Sequence, residues 1–291
     1  MTMAEVPNKF EDKILRRDEF AAHYEVVTDL PDISEGRQSR VSVLRFKIGG
    51  ESEELVVWKR MGVGKHLTKR EAQFLHSRLR TYRRSLRTSG WNIPKLFHTH
   101  VAKVDMEWQV LSYEQFIPGG DADHMFKKAN IPNYRKWFLI RTALETLAEY
   151  DQHLIGPTTI EGQQVTLLPH GIDLKLANLV NDEGQVWFVD LFGPKELEDG
   201  EWVSYNSKLD HLSEERLKAV TATREGSVLR LFRLAEESWL ESGSIQRETL
   251  QDNFEDVLEQ SGIPEREATF IMDQIRSDYP WLDKLYSEEL V

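Results

Sequence analysis

Asp173 and Asn178 lie five residues apart, and Asp190 follows Asn178 by twelve, at the end of the apolar run VWFV. A hairpin through ANLVNDEGQVWFVD, turning at Asp182-Glu183-Gly184, sets Asn178 and Asp190 side by side at one end of a small sheet. Two oxygen-bearing side chains so placed suit a hard cation such as Mg²⁺, which takes few protein ligands and completes its shell with water and phosphate oxygens. Asp173 is then free to orient a hydroxyl nucleophile and accept its proton. Lys175 supplies a compact positive charge beside a transferred phosphoryl group. The chemistry these residue types suggest is phosphoryl transfer to an alcohol.

The elements that must position these residues fall into two textures. Residues 10–23 have apolar positions at helical spacing and predict a short leading helix. From Tyr24, the segments YEVVTDL, SRVSVLRFKI, ELVVWKRM, KLFHTHVAKV and MEWQVLSYEQFI are rich in β-branched and aromatic residues, with turn-forming residues between the first three, and predict antiparallel strands. A helix is expected over 67–88, where Leu67, Ala72, Leu75, Leu79, Tyr82 and Leu86 recur on one face. After the Pro118-Gly119-Gly120 turn the pattern is mainly helical, interrupted by the strand-like pieces QVTLLP, ANLVN and QVWFVDLF. The expected architecture is α+β, with a β-rich lobe over 1–117 and a larger helical lobe over 118–291.

Composition narrows the function classes. The 291 residues are 40% hydrophobic and 30% charged, with a formal net charge of −12, which argues against nucleic acid as the main partner. A local basic block (Lys65, Lys69, Arg70, Arg78, Arg80, Arg83, Arg84, Arg87, Lys95) reads as a solvated helix face. No cysteine is present, so disulfides and thiolate chemistry are excluded. No apolar run reaches the roughly 20 residues of a membrane-spanning helix, and the charged N-terminus is unlike a signal peptide, so a cytoplasmic location is expected. His98 and His100 alternate along a strand without a third metal ligand at a credible spacing.

In this setting the run His170-Gly171-Ile172-Asp173-Leu174-Lys175-Leu176-Ala177-Asn178, followed by Asp190-Leu191-Phe192-Gly193, resembles the catalytic loop and metal-binding motif of the protein-kinase-like superfamily. Within it, the closest likeness is to the aminoglycoside/choline phosphotransferase branch. The resemblance covers residues 24–194. It implies a bilobal kinase-like fold that uses ATP and Mg²⁺. Lys59 would pair with the α/β-phosphates and Glu71 would hold that lysine. The loop around Gly36 and Ser39 would face the phosphates, and backbone groups of Glu114, Gln115 and Phe116 would read adenine between the lobes. Asn178 and Asp190 would hold the metal, with Asp173 as base and Lys175 at the γ-phosphoryl group. Counting back from Asn178 and Asp190 keeps Asp173 in the catalytic position and makes Ile172 an insertion after a bracing His170.

Gly171, the loop with its single glycine and the absence of an A-P-E segment favour a small-molecule hydroxyl acceptor: a sugar, an aminoglycoside-like compound or an amino-alcohol. Trp202 and Tyr205 are further candidates for substrate contact. Two alternatives stay open, an atypical protein Ser/Thr kinase and a pseudokinase-type nucleotide-binding module. Oligomeric state leaves no trace in the sequence.

Overall fold

The computed structural model describes residues 24–27, 39–48, 52–104, 106–149, 156–191, 195–198, 201–204, 214–243 and 245–287. The expected leading helix, Gly36, Phe192, Gly193 and Tyr205 lie outside these residues, and the side chains of Ser39 and Trp202 are likewise not described. The chain is α+β and divides into two compact units, Met1–Arg78 with Pro94–Pro118 and Leu79–Ile93 with Gly119–Val291.

The first unit is built on five antiparallel strands: β1 (Tyr24–Val27), β2 (Ser39–Ile48), β3 (Ser52–Met61), β4 (Leu96–Val104) and β5 (Glu107–Gln115). Their order is β1-β2-β3-β5-β4, with β5 between β3 and β4. In this register Lys59 lies between Val41 and Ser112. Because side chains alternate across a strand, Lys59, Ser112 and Glu114 share one face. Trp58 and Tyr113, also cross-strand neighbours, point the other way and pack with Phe97 on Leu44 and Val56.

Helix α1 (Lys69–Thr88) follows β3 and begins with a reciprocal cap: the Glu71 N–H donates to Thr68 Oγ1 at 3.2 Å, and the Thr68 N–H donates to Glu71 Oε2 at 2.7 Å. It ends at Gly90, whose φ of +88° allows the Trp91 N–H to reach back to the Leu86 carbonyl at 3.1 Å. Ala72, Leu75, Leu79, Tyr82 and Leu86 form its buried stripe. The basic residues of this region lie partly against rings: Lys69 over Trp108, Arg78 over Phe74 and Lys95 over Phe97.

The second unit carries helices α2 (Ala122–Lys127), α3 (Asn133–Ala148), α4 (Glu214–Ala222), α5 (Arg224–Glu241), α6 (Arg247–Gln260), α7 (Glu265–Arg276) and α8 (Pro280–Ser287). Three antiparallel hairpins accompany them: β6 (Gly156–Ile160) with β7 (Gln163–Leu167), β8 (Leu179–Asp182) with β9 (Gln185–Phe188), and β10 (Lys195–Glu198) with β11 (Glu201–Ser204). The last hairpin and α2 leave no clear periodic signal because each is too short to repeat an apolar pattern.

Helix α5 is the spine of this unit. Its residues from Arg224 to Leu229 are all buried, and farther along Phe232 stacks on Phe254 while Trp239 packs against Phe126 and Trp137. At its start Thr223 caps the Gly226 N–H at 3.1 Å, and a Cβ at Gly226 would lie 1.9 Å from the Ala219 carbonyl oxygen. Only glycine lets α5 come this close to α4. Lys136 of α3 is wholly buried, with Nζ donating to the Phe126 carbonyl at 2.8 Å, and burial lowers its pKa. Among the described residues no helix is long and apolar enough to cross a membrane.

Candidate functional site

The β8–β9 hairpin closes through Glu183 and Gly184, both at positive φ (48° and 83°), the two-residue geometry whose twist matches paired strands. Leu179 pairs with Phe188, and one step farther the Val189 N–H donates to the Asn178 carbonyl at 2.9 Å. The spacing read from the sequence is therefore realised: the chain leaves Asn178 and enters Asp190 at the same end of the hairpin. Asn92 supports this end, accepting the Phe188 N–H at 2.8 Å and donating its side-chain amide to the Val186 carbonyl at 3.2 Å. Trp91 packs its ring on Phe188.

The segment before the hairpin has no regular secondary structure, and its burial alternates. Ile172, Leu174 and Leu176 are at or below 1% exposure, while Asp173 and Lys175 between them are half-buried. With this period of two, the three apolar side chains enter the core and the two charged ones stay at its edge. Ile172, which the resemblance makes an insertion, is thus a core residue here, and its N–H also donates to the Thr221 carbonyl at 2.6 Å. Upstream, the Leu168 N–H donates to the Ala222 carbonyl at 2.8 Å, and Tyr82 Oη donates to the Gly171 carbonyl at 2.7 Å. His170, 4% exposed, meets the Tyr82 ring edge-on with centroids 6.1 Å apart.

Asp173 gathers the site. Its carbonyl accepts the Lys175 N–H at 3.0 Å and Asn178 Nδ2 at 2.9 Å, which fixes a tight turn ending in a short 3₁₀ helix, Leu176–Asn178. With Nδ2 committed to that bond, the Asn178 Oδ1 is the atom left for a cation, and the Asn/Asp donor set is the hard-oxygen kind that suits Mg²⁺. Among the described residues no group of three or more His, Cys, Asp or Glu gathers as a closed metal cage. The Asp173 carboxylate meets two cations, Lys175 Nζ at 3.4 Å from Oδ2 and Arg230 Nη1 at 2.5 Å from Oδ1.

Arg230 has no counterpart in the sequence reading. It is the first residue of α5 that is not buried, and nothing in the local sequence ties it to a loop more than fifty positions away. The rigid start of α5 is held by a polar network. Glu225 accepts the Thr166 N–H at 2.8 Å, while Glu267 of α7 accepts from Thr166 Oγ1 at 2.6 Å and from Arg224 Nη1 at 3.0 Å. Burial pushes the Glu225 carboxyl pKa up, opposed by the Thr166 N–H and reinforced by the nearby Glu267.

In the first unit, Lys59 Nζ lies 3.2 Å from Glu114 Oε2, and Ser112 Oγ donates to Glu114 Oε1 at 3.1 Å. The sequence reading pairs Lys59 with Glu71 and gives Glu114 a backbone role only. Here the Glu114 side chain itself faces Lys59 as a counterion, and the Glu71 carboxylate also takes part in the helix cap described above. Strand β5 runs through Gln115, whose N–H already donates to the Lys95 carbonyl at 2.8 Å. Phe116 follows the strand and is half-buried. His98 and His100 stack at 5.0 Å, and His100 lies parallel to Tyr113 at 6.3 Å.

The fold and the site thus define an α+β protein with a small antiparallel sheet and a helical unit that presents a charged loop beside a tight hairpin. A scan of known protein families finds no matching model, and no curated protein matches the chain.

Proposed function

We propose that the chain is an ATP-dependent phosphotransferase of protein-kinase-like type that moves the γ-phosphoryl group to a hydroxyl of a small molecule. The observation that carries this reading is the joining of Asp173, Asn178 and the Asp190 end of the hairpin by the 2.9 Å bonds from Asn178 Nδ2 to the Asp173 carbonyl and from the Val189 N–H to the Asn178 carbonyl. These bonds hold a carboxylate base and two cation-binding oxygens on one rigid piece of backbone.

In this reading Asn178 and Asp190 hold Mg²⁺. When bound, the ion supplies charge neutralisation for the phosphate oxygens. Asp173 orients the acceptor hydroxyl and takes its proton as the acceptor oxygen bonds to phosphorus. The bond to the β,γ-bridging oxygen breaks, ADP leaves, and the proton passes from Asp173 to solvent. Lys175 shifts from Asp173 toward the transferred group, which frees Oδ2 for the hydroxyl. Lys59, kept out of solvent by β3 and β5 and poised on Glu114, supplies the charge for the α/β-phosphates. The test is ADP release in Mg²⁺ and ATP across a panel of hydroxyl compounds. Phosphorylation of a protein substrate with no small-molecule turnover would sink the small-acceptor reading.

A second reading is a nucleotide-binding module without transfer. It is favoured by the Asp173 carboxylate, both of whose oxygens face cations. Tight Mg·ATP binding with no turnover on any acceptor would select it.

A further inference from the structure

We propose that Arg230 reads an oxyanion on the acceptor, so that the hydroxyl compound activated at Asp173 carries a carboxylate or phosphate group and not an amine. This inference rests on the phosphoryl-transfer reading above and names the acceptor class for that site.

Two cations meet the Asp173 carboxylate, Arg230 at Oδ1 and Lys175 at Oδ2, so positive charge lines the point where the acceptor hydroxyl would dock, while in this reading the Asp190 carboxylate is committed to the metal ion. The chain as a whole has a net charge of −12, so this spot is not a by-product of a generally basic surface. The three side chains are 21% to 32% exposed, open enough for a ligand and enclosed enough for charge to be poorly screened.

The placement of Arg230 is also rigid. Thr221 to Leu229 are all buried, so the guanidinium projects from the first half-buried position of a helix whose start is locked by the Thr223 cap and the Thr166–Glu225 and Arg224–Glu267 bonds. A guanidinium has five N–H donors in a planar fork, and the ion-pair contact of Nη1 with Asp173 Oδ1 engages only one side of it. An oxyanion is the partner whose geometry and charge match the remainder. An amino-alcohol would bring a third cation to the same place and be repelled.

The test uses the full chain and a matched series on one diol frame: glycerol, glycerate, glycerol phosphate and aminopropanediol. Mg·ATP affinity is measured first by calorimetry, then ADP release is followed with each compound. We expect glycerate or glycerol phosphate to raise ADP release above the water background, and their order distinguishes a carboxylate from a phosphate acceptor. Arg230→Gln should lower kcat/KM for the anionic compounds by on the order of tenfold to a hundredfold more than for glycerol, the worth of a charged hydrogen bond, since the change beside Asp173 is common to all acceptors. Arg230→Lys should restore part of it. Preference for aminopropanediol, an anionic preference intact in Arg230→Gln, or no acceleration by any compound in a chain that binds Mg·ATP would overturn the inference. Failure to bind Mg·ATP at all would instead remove the phosphoryl-transfer reading beneath it.

Discussion

Lys59 and Glu114 face each other from neighbouring strands, Nζ 3.2 Å from Oε2, with side chains only 8% and 2% exposed. A buried pair of this kind is stabilising mainly in the sense that neither partner tolerates losing the other. Glu114→Ala should therefore destabilise the protein by about 3–5 kcal/mol, because it removes the carboxylate that faces a buried ammonium group. The double change Lys59→Met with Glu114→Leu should recover most of that loss while removing any nucleotide affinity that depends on Lys59. Urea denaturation of the single and double variants, together with nucleotide titration, checks both halves.

Ile172 looks like an error in the motif, and its burial makes the opposite prediction. Ile172→Ala should cost about 2–5 kcal/mol, as for other fully buried aliphatic side chains. Deleting Ile172, which would restore the familiar motif spacing, should be worse, because a shift by one residue in this alternating segment turns Asp173 into the core. Thermal unfolding and limited proteolysis of the two variants test this. A deletion variant as stable as the parent would remove the alternation argument.

Asp173→Asn keeps the shape of the side chain but removes the proposed base and the charge that Arg230 and Lys175 meet. Turnover should fall by roughly a hundred- to ten-thousandfold, the usual worth of a positioned base, with Mg·ATP affinity retained. Steady-state kinetics alongside nucleotide calorimetry separates the two effects. Unchanged turnover would remove Asp173 from the chemistry.

The raised pKa of Glu225 makes stability depend on pH. Between the ordinary carboxyl value of 4.5 and the higher folded value, the folded protein holds a proton that the unfolded chain has released. The contribution is full below 4.5 and is lost as pH rises through the folded value. Glu225→Gln can still accept the Thr166 N–H through its amide oxygen but cannot ionise, so its unfolding curve should be flatter across this window. Chemical denaturation at a series of pH values measures the difference, and identical slopes for both proteins would show that Glu225 does not titrate there.

Local pattern was enough to reveal the strand and helix textures, helix α1, the hairpin between Asn178 and Asp190 and the loop that carries Asp173; the Thr68–Glu71 cap was seen only in the structure. The features read from pattern rest on interactions a few residues long, such as alternation on an extended chain and a turn that tolerates positive φ at Glu183 and Gly184. Tertiary structure alone decided which partners those residues meet. Glu114 became the counterion of Lys59 because the order β3-β5-β4 sets their strands side by side. Ile172 became a core residue because its loop lies against the end of α4, where Thr221 and Ala222 offer free carbonyls. Arg230 reached Asp173 because Gly226 and a buried polar network fix the start of α5. Charge pairing and burial depend on distance in space and not on separation along the chain, so no local pattern could carry them.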